Sequence, residues 1–168
     1  GSMNNQEFKY DTAENLDKNL FERTGYTFAG WATSAEGEVA YADEKEVLNL
    51  TAVANGEVKL YAVWTPVEYT VTFEGNKPET EGTVTQTAES IKVTFDASTN
   101  LTDTYTASLT GYTFLGYFDR ANEKVFNNEG AVQTGTYVNA DKEWIYADSV
   151  TLYAHWEANT YYVEFNGN

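Results

Sequence analysis

The amino-acid sequence predicts an α+β fold, β-dominated, assembled from tandem copies of one small unit. Three observations carry that prediction. Blocks of residues recur in fixed order, several of those blocks alternate apolar and polar residues with a period of two, and one short acidic stretch has helical character.

The repetition is the primary signal. Thr24-Gly-Tyr-Thr-Phe-Ala-Gly-Trp31 returns as Thr110-Gly-Tyr-Thr-Phe-Leu-Gly-Tyr117, an offset of 86. Leu60-Tyr-Ala-Val-Trp64 returns as Leu152-Tyr-Ala-His-Trp156, and Glu68-Tyr-Thr-Val-Thr-Phe-Glu-Gly-Asn76 as Thr160-Tyr-Tyr-Val-Glu-Phe-Asn-Gly-Asn168, both at an offset of 92. Upstream, Phe8–Asp11 matches Val93–Asp96 at an offset of 85. The change of offset from 86 to 92 places a six-residue insertion around Ala140–Tyr146 of the later copy. The expected organisation is a first repeat over 1–64 without its opening strand and a linker at 65–67. A complete repeat over 68–156 follows, then a second linker and the opening strand of a third repeat at 157–168.

Each element follows from local pattern. Asp11 and Glu14 have capping-box spacing, but the matching stretch from Asp96 to Thr106 is rich in threonine, a poor helix former, so both are expected to be irregular. Phe28–Trp31 and Phe114–Tyr117 read as short strands, entered through Gly25 and Gly111, which supply the positive φ of a turn. Gly30 and Gly116 inside them mark a bulge or a close backbone approach. Asp43–Leu48 is the best short helix. Leu60, Ala62 and Trp64 share one strand face, and Tyr69, Val71 and Phe73 share another.

Composition narrows the chemistry. Ten basic against twenty-six acidic residues give a net charge of −16 over 168 residues, which repels phosphate backbones, so nucleic acid is not an expected partner. There is no cysteine and a single histidine, His155, which removes thiolate chemistry and histidine pairs. No apolar run is long enough to insert in a membrane. Glu36, Glu38, Asp43, Glu44 and Glu46 form one carboxylate group, with Glu79 and Glu81 another, but neither recurs between copies as a site would. They read as a solvated anionic surface. An enzyme is therefore not expected, nor a cofactor or a metal.

The quoted motifs resemble the Listeria–Bacteroides repeat family, the internalin-type B-repeat: Tyr69–Phe73, Gly25–Trp31, Gly111–Tyr117, Leu60–Trp64 and Leu152–Trp156, in fixed order. The resemblance implies β-grasp-like (ubiquitin-like) units strung in tandem on extracellular proteins of the bacterial cell surface, with no catalytic residues. A stalk, spacer or adhesion module is the role it implies. A carbohydrate- or protein-binding adhesin with exposed aromatics, taking a host or glycan ligand, is the alternative.

Two groups of residues stand out as candidate contacts. Trp144 and Tyr146 lie in the inserted segment, and Trp144 has no counterpart in the first copy, so they are the candidates for a surface contact; the alternative is that Trp144 caps the core of its own unit or wedges between units. The recurring aromatics, including Trp31, Trp64, Trp156, Phe28 and Phe114, are instead expected in the core, because a small unit needs large side chains to bury enough area. Tyr161, Val163 and Phe165 form the apolar face of a spare opening strand. They are expected to pair head to tail with the place left vacant in the first unit of another molecule. The other expected partners are neighbouring repeats of the same protein.

Overall fold

The computed structural model describes residues 1–79 and 82–167; Glu81 and Asn168 of the sequence motifs lie outside the described residues. The chain divides into two compact units, Gly1–Val67 and the remainder from Glu68. Among the described residues there is no helix, and the fold is β throughout. The expectation of an α+β fold is corrected accordingly.

The first unit contains β1 (Glu14–Asn15), β2 (Tyr26–Ala32), β3 (Glu46–Val47) and β4 (Tyr61–Pro66). β2 and β4 pair antiparallel, and β1 pairs with β3. The helix expected over Asp43–Leu48 is replaced by β3. Glu44 adopts φ 55°, which no right-handed helix accommodates, and Val47 is drawn inward beside Leu16 and Trp31. Tertiary burial of one β-branched residue overrides a modest local helical preference. The core consists of those three residues, with Met3, Phe21, Phe28, Tyr41, Leu50, Leu60 and Ala62 packed partly buried around them.

The second unit contains β5 (Glu68–Glu74), β6 (Thr85–Gln86), β7 (Ser90–Thr94), β8 (Ala107–Ser108), β9 (Tyr112–Phe118), β10 (Lys124–Phe126) and β11 (Val150–Ala158). Five of these form one sheet in the order β10-β9-β11-β5-β7. β5 and β11, the first and last strands of the unit, lie side by side and parallel at its centre, with Val150 opposite Val71 and Leu152 opposite Phe73. The alternation read from Tyr69-Thr-Val-Thr-Phe73 is realised, since Val71 and Phe73 are buried. One cluster of seventeen buried side chains, including Phe73, Tyr105, Tyr117, Phe126, Trp144 and Leu152, fills this unit.

The recurring glycines have identical roles. In β2, Phe28 pairs with Trp64 and Gly30 with Val63, leaving Ala29 as an extra residue. In β9, Phe114 pairs with Trp156 and Gly116 with His155, leaving Leu115 extra. Each copy therefore carries the same bulge. Gly30 and Gly116 have φ 143° and 125°, and a Cβ on either would run into a carbonyl, that of Tyr41 or Phe126 respectively. Bulge and close approach coincide at both positions, which is why glycine recurs.

Candidate interaction surface

Trp144 is not a surface residue. Its side chain is 0% exposed, and the insertion that carries it closes the core of its own unit. Its backbone bridges both to Phe95, in parallel, and to Val138, antiparallel. Its N–H donates to the Ala97 carbonyl at 3.0 Å, and its carbonyl accepts the Asp96 N–H at 2.8 Å. The indole Nε1–H donates to the Tyr146 carbonyl at 2.6 Å, so the polar end is satisfied inside. Tyr146 is half-buried against the same cluster, its ring 4.8 Å from that of Tyr137. The candidate surface contact thus gives way to the alternative, a cap on the core of its own unit, for a physical reason. A Trp with its N–H satisfied inside a small unit contributes more by burial than it would at the surface.

A turn signal could have revealed this. Asn139 accepts the N–H of Asp141 and of Glu143 on its side-chain oxygen, at 3.0 and 2.9 Å, while Lys142 takes φ 63°. Asn-Ala-Asp-Lys is turn chemistry that sets Val138 across from Trp144.

The aromatic positions shared by the copies are occupied as follows. Trp31 and Phe114 are buried. Phe28 is only partly buried, and so are Trp64 and Trp156, within β4 and β11. Phe28 and Trp64 meet edge to face at 5.5 Å, and Phe114 and Trp156 meet at the same separation. His155 is half-buried and stacks on Phe118 with ring centroids 4.1 Å apart.

No catalytic constellation gathers around these residues. The described carboxylates of both sequence groups are exposed, and no group of three or more metal-ligating side chains exists among the described residues. Two shallow depressions indent the second unit, one beside Asp119, Arg120 and Tyr137, the other beside Asn76, Lys77 and Trp156. The perturbed titrations belong to buried tyrosines. Desolvation raises Tyr137, and the Asp119 carboxylate that accepts its O–H at 2.8 Å raises it further. Tyr105 is raised by burial and by Asp103; Tyr117 is raised by burial and partly relieved by Gln86. These are structural phenols.

The exposed apolar surface is concentrated elsewhere. Tyr161, Val163 and Phe165 are 85%, 64% and 92% exposed, and residues 161–165 belong to no strand. In the first unit β4 pairs with β2 on one side, and no described strand pairs with its other side. In the second unit β5 covers that side of β11 at Val150–Tyr153, which match Val58–Tyr61 of the first, the stretch that runs into β4.

Comparison with known proteins gives a consistent picture. Residues 1–63 match the family model described as the Listeria-Bacteroides repeat domain. A protein of Evansella cellulosilytica named "Putative Gly-rich membrane protein" is 31% identical over 154 residues, covering 90% of this chain and 16% of that protein. A second from the same organism, named "Putative membrane protein", is 26% identical over 148 residues, covering 88% of this chain and 18% of its own length. The chain therefore spans less than a fifth of the curated relatives it matches. No solved structure matches it. No helix among the described residues is long and apolar enough to cross a membrane. By the match over residues 1–63, the chain carries a repeat of the Listeria-Bacteroides family.

Proposed function

We propose that this chain is a non-catalytic spacer from an extracellular bacterial surface protein, whose tandem units hold a more distal part away from the cell. The observation that carries this reading is the continuity of strands between units: Val67 alone separates β4 from β5. The repeats thus follow one another along the chain with no tether sequence between them. Support also comes from the aromatics, most of which serve their own cores, and from the net charge of −16, which favours solubility in a long array. The relatives' names place them at membranes, and their length leaves room for other domains. We read the sheet order, with first and last strands parallel at the centre and a hairpin partner on each side, as a β-grasp arrangement without its helix.

A binding screen discriminates spacer from adhesin. The chain, immobilised and probed with glycans and host matrix proteins, is expected to retain none of them. Saturable retention that is lost on substituting exposed aromatics such as Tyr10 or Tyr162 would establish the adhesin reading instead.

A further inference from the structure

We propose that residues 161–165 of one molecule add as a central parallel strand beside Val58–Tyr61, the stretch that runs into β4, in a second copy of this chain. The inference goes beyond the spacer reading and does not depend on it. Its template is the second unit, where β5 occupies the corresponding place.

The repeat offsets convert that template into a register. Val71 and Phe73 face Val150 and Leu152 in the parallel β5–β11 pair. Shifted by the offset of 92, Val163 falls opposite Val58 and Phe165 opposite Leu60. Between them Glu164 falls opposite Lys59, so the one charged pair in the register is of opposite sign. On the far side Tyr69 pairs with Val93 in β7. The matching residues are Tyr161 and Phe8, so the added strand would be flanked on both sides as β5 is.

Three features bear on this place. Apolar residues wet in the first unit are dry in the second: Phe8 is 37% exposed where Val93 is 0%, and Leu60 is half-buried where Leu152 is fully buried. Second, in the complete unit the Trp156 indole donates to the Gly75 carbonyl at 2.9 Å, just beyond β5. Trp64 is the counterpart of Trp156, and Gly167 is the counterpart of Gly75. Third, the Trp31 indole nitrogen is buried with no hydrogen-bond partner. Its counterpart Tyr117 accepts from Gln86 Nε2, which also donates to the Phe73 carbonyl of β5. A buried donor without an acceptor is costly, and an incoming strand brings a row of carbonyls.

Donation from tail to first unit is heterologous, so it propagates as open chains and does not close into a dimer. The experiment is sedimentation over a concentration series, on the full chain and on a chain lacking residues 160–168. The full chain is expected to rise above 18.8 kDa in whole multiples as concentration increases, and the deleted chain to stay at one copy. Register is tested by mixing Leu60→Cys with Phe165→Cys, in a background free of other cysteines. Partners facing each other across adjacent strands, about 5 Å apart, meet disulfide geometry. Oxidation is expected to give the mixed dimer in at least tenfold excess over the mixture of Leu60→Cys with Glu164→Cys, whose second cysteine points to the opposite face. A full chain that sediments as one copy at every concentration, unchanged by the deletion, overturns the proposal. So does an intramolecular disulfide in the monomeric Leu60→Cys/Phe165→Cys double variant, which would show the strand folding back on its own molecule.

Discussion

Trp144 illustrates how a single side chain decides between surface and core. Its ring is fully buried and its indole N–H is satisfied by the Tyr146 carbonyl. Trp144→Ala is expected to cost about 3–5 kcal/mol in chemical denaturation, the range for truncating a large buried aromatic. The same substitution at half-buried Trp64 should cost markedly less. The buried phenols give a second expectation at this scale. Tyr105, Tyr117 and Tyr137 are all raised above 10.0 in the folded state, chiefly by burial. The folded protein therefore holds its phenolic protons where the unfolded chain has released them, so stability falls as pH rises. That contribution is fully present below pH about 10 and is lost above it, as pH climbs toward the folded-state values. Denaturant midpoints measured from pH 8 to 12 should be flat at first and then decline. Tyr137→Phe, which removes the group raised most, should shallow the decline.

Among the elements, the glycine bulge is the most constrained. Gly116 combines φ 125° with a backbone approach to the Phe126 carbonyl that leaves no room for a Cβ. Gly116→Ala should destabilise the second unit by about 1–3 kcal/mol, since a strained backbone position and a steric clash act together. Thermal melts of the variant check this. Much of this architecture was legible in the sequence because its signals are local. The strict alternation of Tyr69, Val71 and Phe73 identifies a half-buried strand, and the recurrence of Gly30 and Gly116 identifies a bulge. What escaped was non-local. Asp43–Leu48 looks helical alone, yet Val47 belongs with Leu16 and Trp31, which are distant in sequence. Trp144 lacks a counterpart in the first copy, and its pairing with Phe95, distant in sequence, is not reported by any local pattern. The parallel pairing of β5 with β11 joins residues about eighty positions apart, and no periodicity reports such a contact. The resemblance identified the repeat, whereas the helix expected from local pattern over Asp43–Leu48 is replaced by β3.

For the whole molecule, the two units share motifs but differ in the size of their cores. Three buried residues form the heart of the first core and seventeen form the second, so the first unit should unfold at lower temperature, as a separate transition. Charge acts at the same scale. With a net charge of −16 on every copy, self-association through the terminal strand works against long-range repulsion, and added salt should strengthen it. Sedimentation at 20 and 300 mM salt measures that effect. The account rests on the first unit having, beside Val58–Tyr61, room for the strand that β5 supplies in the second. Calorimetry of the chain lacking residues 160–168, with increasing amounts of a peptide spanning Thr160–Asn168, tests this most directly. A ligand that binds the folded unit raises its midpoint by mass action. The lower transition is expected to move upward with peptide concentration while the upper one stays fixed. A lower transition indifferent to the peptide, or an upper one that moves in its place, would contradict the account.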